Sequence, residues 1–469
     1  MLNQMSLCRM AEAARAGEIS PTELVEAHLA QIERLNPRLN AFVSVFADEA
    51  RAAAKAAESA RERGRLHGVP VTIKDCFDVK DKPTLCGSRL RLGHRASEDA
   101  TSVARLRSAG AIVLGKTNCP EFLYNYETDN HVIGRTNNPW DLERTPGGSS
   151  GGEAAAIASF CSPGGMGSDG GGSIRLPAHF SGIAGLKPTP GRVPASGHFP
   201  LINHPGGLLG VGGPMARTAE DVRLLFEITA GHDDQDPFSA PVPLRKPDLG
   251  GLRIGLMPQF CDVPVQPGIA AAVEKAARIA QQAGFAVEQP FRPRGIERAP
   301  DLWWFFFSRV PAPFIKKMIA GREQATHWSG VEFMNRALEE PEPTMQQVIE
   351  NLAARDAMRA ALLRQMREFP VILAPVSGVT AFRHRERCWP APERNISLFE
   401  AMAPLTFVNL LGLPSMVIPF DVTAEGLPVG VQLIGRPFEE ETILEVAVRL
   451  EEARGPFPSA PLARSNGQS

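Results

Sequence analysis

The sequence has none of the cysteine spacings that bind zinc or build a disulfide framework. Its seven cysteines are scattered and odd in number, and no two of them are spaced C-x-x-C. The chain also has no excess of one charge, since 50 Lys and Arg nearly balance 52 Asp and Glu. We therefore expect free thiols, no structural metal, no cofactor and no nucleic-acid partner.

Hydrophobic runs of the kind that direct or anchor a chain are also missing. The first residues, MLNQMSLCRMAEAARAGE, contain no continuous apolar segment of a secretory signal, so we expect a cytoplasmic protein. One long uncharged run, residues 401–420, is interrupted by three prolines, an asparagine and a glycine. That interruption favours buried strand and turn over a membrane span.

The periodicity of the remaining sequence predicts an α/β protein. Helical patterns cover residues 21–35, behind a possible Ser20 cap, and residues 47–64. From residue 68 onward, short apolar strands such as VPVTI and AIVLG alternate with helical stretches such as residues 100–109. This alternation is typical of a sheet layered with helices.

Three short segments supply residue types that acyl transfer requires. Lys74 ends the strand VPVTIKD, Ser149 and Ser150 lie in PGGSSGGE, and Ser173 lies in GSDGGGSIRLP. Alone, a lysine is usually a solvated charge and a Gly/Ser run is usually a turn or linker. Together the segments offer a base, a nucleophile and an anion hole, which points to a serine hydrolase.

The anion hole is predicted from the three glycines that precede Ser173. Residues without a Cβ let successive backbone N–H groups converge on one point, so we expect the oxyanion donors at Gly170, Gly171, Gly172 and Ser173. Lys74 follows a strand whose alternate positions are apolar, and a buried ammonium loses hydration, which favours the neutral amine as a base. None of the ten histidines lies in a recognisable catalytic motif.

These segments closely resemble the amidase signature family. The resemblance rests on GVPVTIKD, GKTNCPEF, NPWDLERTPGGSSGGEAAAIA, GSDGGGSIRLPAHFSGIAGLKPTPGRV and GPMARTAEDV, and on two serines 24 positions apart. It implies that Lys74 is the general base, that Ser149 is a relay serine preceded by a cis peptide, and that Ser173 is the acylated nucleophile. The polar groups that would support them are Ser150, Asp169 and Arg175.

The resemblance also implies the architecture, which is one α/β/α layered domain over residues 1–469 with a central mixed sheet covered by helices. Residues 1–64 would form a helical cover, 65–235 the catalytic core, and 290–350, which match nothing in the family, a variable substrate-facing insertion. The loop before the nucleophile departs from the common form G-S-D-T-G-G-S, because Gly170 replaces the threonine. The extra glycine predicts a more mobile loop.

Aromatic residues indicate the substrate side of the predicted site. Tyr124 and Tyr126 are the only tyrosines, and their segment EFLYNYET lines the acyl pocket in the family, where Leu123 would approach the anion hole. Trp303 and Phe306 in WWFFF would line an apolar entrance, or would pack as ordinary core. We expect hydrolysis of small apolar or aryl amides, with esters and carbamates as further substrates, and a homodimer as one possible assembly.

The sequence leaves three other functions open. Residues 110–117 (GAIVLGKT) fit a phosphate-loop pattern, but a helix-like stretch precedes them and the loop positions are strand-like. Residues 147–151 (GGSSG) fit a nucleophile elbow, for which His384 is one downstream partner, but the preceding segment is polar and not a strand. A glutaminase component of an amidotransferase complex is the third alternative, and a free-enzyme assay with glutamine would discriminate it.

Overall fold

The computed structural model of the chain describes residues 1–202 and 209–464. Within them the strands form one large sheet and one separate pair. The large sheet contains β1 (Phe42–Val45), β2 (Pro70–Lys74), β3 (Ile112–Thr117), β4 (Gly164–Asp169), β5 (Ala184–Lys187), β6 (Val211–Ala216), β7 (Arg253–Leu256), β8 (Ala286–Glu288), β9 (Val371–Pro375), β12 (Ser415–Val422) and β13 (Pro428–Ile434). The separate pair is β10 (Cys388–Pro390) with β11 (Asn395–Ser397).

Helices lie between most of these strands. They are α1 (Leu7–Ala16), α2 (Pro21–Leu39), α3 (Ala47–Glu58), α4 (Thr101–Ser108), α5 (Gly151–Ala158), α6 (Arg175–Ser181), α7 (Ala219–Thr229), α8 (Pro267–Gln282), α9 (Ala299–Trp304), α10 (Ala312–Ile319), α11 (Trp328–Ala337), α12 (Met345–Gln365), α13 (Leu398–Ala401), α14 (Ala403–Leu410) and α15 (Glu440–Arg454). A π-helical turn, Phe305–Arg309, continues α9.

The large sheet has 11 strands in the order β1-β3-β2-β4-β6-β5-β12-β13-β9-β7-β8, and it mixes parallel and antiparallel neighbours. Both of its faces are buried, because alternate residues of one strand enter different cores: Met416 and Ile418 pack on one side and Val417 on the other. Helices α1, α4, α7, α8 and α15 cover the first side, and α5, α6, α9 and α14 cover the second. The predicted α/β/α layering around a mixed sheet is confirmed.

Local sequence signals account for much of this framework. Helix α2 begins behind Ser20, whose side chain accepts from the Glu23 backbone N–H while the Glu23 carboxylate accepts from the Ser20 N–H. Strand β1 was not predicted, and it pairs antiparallel with β3 at the edge of the sheet. The prediction for residues 401–420 is wrong in part, because 403–410 form α14. All eight residues of α14 are buried, so it shows no polar face that could identify a helix.

Two neighbouring parallel strands, β2 and β4, place predicted site residues at one edge of the sheet. Strand β2 pairs in parallel with β4, with Thr72 opposite Gly165 and Ile73 opposite Met166. Their carboxyl ends, Lys74 and Asp169, therefore meet at the same edge. Within the described residues, no helix has both the length and the apolar character needed to cross a bilayer.

Candidate active site

Lys74 lies fully buried at the end of β2, surrounded by hydroxyl groups. Its Nζ donates to Ser149 Oγ at 2.7 Å and to Ser150 Oγ at 2.8 Å. It also contacts Ser168 Oγ at 3.1 Å and the Ser168 carbonyl oxygen at 3.4 Å. Because side chains alternate along a strand, Val71 and Ile73 enter the opposite core while Lys74 faces α5. The structure thus brings the predicted base to the predicted relay serine.

The buried Lys116 differs from Lys74 in having an acidic partner. Lys116 is also fully buried, but its Nζ forms an ion pair with Asp75 at 2.8 Å and bonds Thr84 Oγ1. No carboxylate in residues 1–202 and 209–464 lies within ion-pair distance of Lys74. Among the described residues, the hydrogen-bond partners of Lys74 are therefore hydroxyl and carbonyl oxygens alone.

The two adjacent serines are fixed by the start of α5. The peptide between Gly148 and Ser149 is cis, as the family resemblance implied. Ser150 donates its backbone N–H to the Ser173 carbonyl oxygen at 3.1 Å, which ties the relay segment to the nucleophile segment. Ser150 Oγ also bonds the Ser168 carbonyl oxygen at 3.2 Å. Ser150 therefore supports the site from both its backbone and its side chain.

Glu153 anchors α5 beneath these serines. Its two carboxyl oxygens accept from Thr72 Oγ1 on β2 at 2.6 Å and from Thr117 Oγ1 on β3 at 2.7 Å. Burial raises the pKa of Glu153 to about 7, against the lowering effect of these two hydroxyls and of Lys74. The helix that follows Ser149 is thus held to the strand that ends at Lys74.

Ser173 follows the glycine loop, which we define as residues 170–172, and its side chain is 8% exposed. Among the described residues, the backbone N–H groups of Gly170, Gly171 and Ser173 make no hydrogen bond. The N–H of Gly172 differs, because it donates to Asp169 Oδ1 at 2.7 Å. Three of the four predicted oxyanion donors are therefore available, and Gly172 has a structural partner instead.

A buried ion pair holds the glycine loop. Asp169 accepts from Arg175 Nε and from Arg175 Nη2, both at 3.0 Å, and both side chains are fully buried. Asp169 also accepts from the Ile174 N–H at 3.1 Å and from Asn409 Nδ2 at 2.9 Å. Burial alone would raise the pKa of Asp169, but the Arg175 guanidinium outweighs it and holds that pKa well below its usual range.

Aromatic side chains bond the glycine-loop carbonyls. Trp303 Nε1 donates to the Gly170 carbonyl oxygen at 2.9 Å, and the Tyr126 hydroxyl donates to the Gly171 carbonyl oxygen at 3.0 Å. A Cβ on Gly171 would collide with the Trp303 ring, so only glycine fits there. The loop with the extra glycine is thus braced from behind by Trp303 and Tyr126, which are 1% and 3% exposed.

The remaining predicted substrate residues lie at different places. Tyr124 is buried and donates its hydroxyl to the Phe307 carbonyl oxygen at 2.5 Å. Leu123 has a left-handed backbone with φ +65°, its N–H bonds the Pro120 carbonyl oxygen, and within the described chain none of its hydrogen bonds reaches the glycine loop. Phe306 is half-buried, and its ring meets Phe305 edge-on at 5.2 Å.

Two residues at this site were missed from the sequence. Ser168 is the third hydroxyl around Lys74, and it lies in the strand GGMGSD, where a Gly/Ser composition hides any strand pattern. Phe307 lies beside the glycine loop, where the nearest heavy atom to a Cβ built on Gly170 would be Phe307 Cε2 at 3.0 Å. The aromatic run WWFFF indicated this segment but not which ring faces the loop.

The alternative motifs do not have the geometry that their functions require. Residues 112–117 of the phosphate-loop pattern are strand β3, and its lysine is the paired Lys116. The segment before Ser149 is loop rather than strand, so it is not a nucleophile elbow. His384 Nδ1 contacts Glu127 Oε2 at 3.3 Å, and no histidine in the described chain bonds Ser149 or Ser173.

Comparisons with known proteins identify the family of the chain. Residues 23–444 match the family model described as Amidase. The chain belongs to the amidase signature family, and it is an amide hydrolase by class.

Individual relatives match over nearly the whole chain. Indoleacetamide hydrolase of Bradyrhizobium diazoefficiens is 35% identical over 465 residues, which cover 96% of this chain and 87% of that protein. One component of the glutamyl-tRNA(Gln) amidotransferase of Chloroflexus aggregans is 34% identical, and the match covers 95% of both chains. A solved bacterial aryl acylamidase of the amidase signature family has a TM-score of 0.83 at 28% identity and covers 96% of both chains.

Proposed function

We propose that the protein hydrolyses carboxylic amides through an acyl-enzyme on Ser173, with Lys74 as the general base and Ser149 as the proton relay. The observation that carries the proposal is the buried Lys74 Nζ, 2.7 Å from Ser149 Oγ, without a carboxylate partner in the described chain. An uncharged amine has two N–H donors and one lone pair. In that state Lys74 Nζ would donate to Ser150 and Ser168, and across the 2.7 Å contact it would accept the Ser149 hydroxyl instead of donating to it.

The proposed cycle conserves protons at each step. Lys74 takes the Ser149 proton, Ser149 takes the Ser173 proton, and Ser173 Oγ attacks the amide carbonyl carbon to form a tetrahedral adduct. The relay then runs backwards and protonates the leaving nitrogen, so the C–N bond breaks and an amine departs. A water molecule, deprotonated through the same relay, attacks the ester, and the carboxylic acid leaves as Ser173 regains its proton.

The second link of the relay is not formed in this structure. No hydrogen bond joins Ser149 Oγ to Ser173 Oγ in the described chain. Catalytic hydrogen bonds are commonly long before substrate binds and tighten in the complex. We assign the oxyanion contacts to the N–H groups of Gly170, Gly171 and Ser173, with Gly172 supporting the loop through Asp169.

The proposed substrates are apolar or aryl amides, with esters and carbamates as further substrates. Phe307 lies beside the glycine loop and stacks on Trp303 and Tyr124, and an aromatic ring at this place gives a polar acyl side chain few hydrogen-bond partners. The relatives that act on indoleacetamide and on aryl acylamides support the same class. The cytoplasmic location, the homodimer and the division into 1–64, 65–235 and 290–350 stay predictions from the sequence.

A glutaminase component of an amidotransferase is the second candidate, because the amidotransferase relative is 34% identical over 95% of both chains. The purified chain, assayed alone, separates the two functions. We expect release of amine from p-nitroanilides of acetic, propionic and phenylacetic acid and little ammonia from glutamine. The opposite preference, or ammonia release only when a partner is added, would favour the second candidate. Adding a chelator should leave the amidase rate unchanged.

The nucleophile assignment has its own experiment. A fluorophosphonate should modify the wild-type chain once, on the peptide that carries Ser173, and the Ser173→Ala variant should remain unmodified. Ser59→Ala, a change at an exposed serine, is the matched control and should be labelled like the wild type. Labelling of the Ser173→Ala variant at another residue would refute the assignment.

A further inference from the structure

Phe307 joins the stacked aromatic rings to the glycine loop and keeps part of its own surface exposed. Its ring lies nearly parallel to Trp303, with centroids 4.5 Å apart, and nearly parallel to Tyr124, with centroids 5.1 Å apart. Trp303 and Tyr124 are buried, whereas Phe307 is only half-buried. Phe307 therefore keeps some exposure, unlike the two rings that stack on it.

The backbone at Phe307 is fixed as well as the ring. Phe307 lies in the π-helical turn, in which the Val310 N–H bonds the Phe305 carbonyl oxygen at 3.0 Å. The Phe307 carbonyl oxygen accepts from the Tyr124 hydroxyl at 2.5 Å. Phe307 is the fourth residue after Trp303, a spacing that places two side chains on one face of a helix. Both the backbone and the ring of Phe307 are therefore held by neighbours.

The edge of Phe307 fills the space next to Gly170. A Cβ built on Gly170 would lie 3.0 Å from Phe307 Cε2 and 3.8 Å from Phe307 Cδ2. This is closer than ordinary van der Waals contact, so residue 170 and the ring occupy complementary volumes. The same glycine carries one of the free N–H groups assigned to the oxyanion. The ring edge is thus adjacent to a residue whose N–H is assigned to the oxyanion.

We propose that Phe307 is a specificity-determining residue, and that its edge over Gly170 selects acyl groups that are slim or planar at the α-carbon. This inference rests on the proposed amidase function and deepens it. An acyl group entering beside Gly170 would pass the edge of this ring, where a methylene or an aryl plane fits and a second α-substituent collides. The Gly170–Phe307 pair would then set the acyl preference of the enzyme.

The first test compares propionyl and isobutyryl p-nitroanilides, which differ by one α-methyl group. Phe307→Ala should raise the ratio of kcat/KM for isobutyryl over propionyl by about 10-fold, because removing a steric wall of this size is worth about 10-fold or more in discrimination. Phe307→Leu, which keeps more of the volume, should raise the ratio less. An unchanged ratio in both variants would overturn the proposal.

The second test measures the coupling between the two residues. Gly170→Ala should lower kcat/KM for the propionyl anilide by about 10-fold, because the ring resists the added Cβ. In the Phe307→Ala background the same change should cost less than about 2-fold, because the space is then free. Equal costs in the two backgrounds would show that the residues act independently and would contradict the inference.

Controls separate this inference from the proposed function. Phe238→Ala, at a phenylalanine that is 55% exposed elsewhere in the chain, should leave the acyl ratio unchanged. If Phe306→Ala, and not Phe307→Ala, shifts the ratio, the neighbouring ring is the determinant and the inference is wrong. Fluorophosphonate labelling at Ser173 is followed in every variant. If the wild-type chain is not labelled at Ser173, the catalytic proposal is wrong. If labelling is intact and the isobutyryl-to-propionyl ratio of kcat/KM does not change, only the inference about Phe307 is wrong.

Discussion

The buried Asp169–Arg175 pair gives the sharpest prediction for stability. In Asp169→Asn the shape is kept, but one carboxylate oxygen becomes an NH₂ group. Oδ1 now accepts from Gly172, Arg175 and Asn409, and Oδ2 accepts from Ile174 and Arg175. In either orientation the new NH₂ therefore faces donors, and Arg175 loses its counter-ion.

The expected loss of unfolding free energy is large. Removing one partner of a buried ion pair typically costs about 3–5 kcal/mol. The other acceptors that Arg175 bonds are uncharged: the Leu405 carbonyl oxygen at 3.1 Å, Gln432 Oε1 at 3.4 Å and Asn409 Oδ1 at 2.5 Å. We therefore expect a loss of about 3 kcal/mol or more, measured by urea unfolding followed through tryptophan fluorescence.

The matched control is an exposed pair with similar geometry. Glu26 and Arg51 bond at 2.7 Å, with side chains 45% and 48% exposed. Because water and salt screen such pairs, Glu26→Gln should cost less than about 1 kcal/mol. If Asp169→Asn cost no more than Glu26→Gln, the buried pair would not be what holds the glycine loop rigid.

Three further predictions concern the surroundings of the site. Gly171→Ala should lower the unfolding free energy by about 1–3 kcal/mol and reduce kcat, because the new Cβ collides with Trp303. An unchanged melting temperature and kcat would contradict the role of Trp303 in supporting the glycine loop. Burial raises the pKa of Glu153 to about 7, so the folded state binds the extra proton and wild-type stability should fall as pH rises from about 4.5 to 7. In Glu153→Gln about 3 kcal/mol of that pH-dependent decline in stability should disappear. A variant whose stability depends on pH as the wild type does would refute this prediction. His384→Ala should lower kcat less than about 10-fold, whereas a loss of about 10⁴-fold would restore the histidine triad as an alternative.

The sequence predicted the parts of the site that lie in segments with a distinctive composition. Lys74 ends an alternating strand, and Ser149 and Ser173 lie in glycine-rich segments whose blocks resemble one family. Their approach to each other was implied by the family resemblance, and in the structure the parallel pairing of β2 with β4 brings Lys74 and the segment before Ser173 to one sheet edge. The layered α/β architecture followed from the alternation of strands and helices, and the structure has it.

The site features that were missed have no local signal in the sequence. Ser168 is one serine in a Gly/Ser strand, and only the spatial approach of β4 to β2 shows its contact with Lys74. Phe307 was missed because an aromatic run predicts an apolar segment, and both the third and the fourth residue after Trp303 lie near it on a helix, so the run does not show which ring stacks on it. The engagement of the Gly172 N–H by Asp169 depends on one backbone orientation that composition cannot reveal.

The most direct test of the central claim is the rate at which a fluorophosphonate modifies Ser173 when the proposed base is removed. Lys74→Met keeps the length of the side chain but loses the amine, and Lys55→Met, at a side chain that is 83% exposed, is the matched control. We predict that Lys74→Met slows labelling of Ser173 by about 100-fold or more, with Lys55→Met unchanged. Labelling of the Lys74→Met variant at the wild-type rate would contradict the relay.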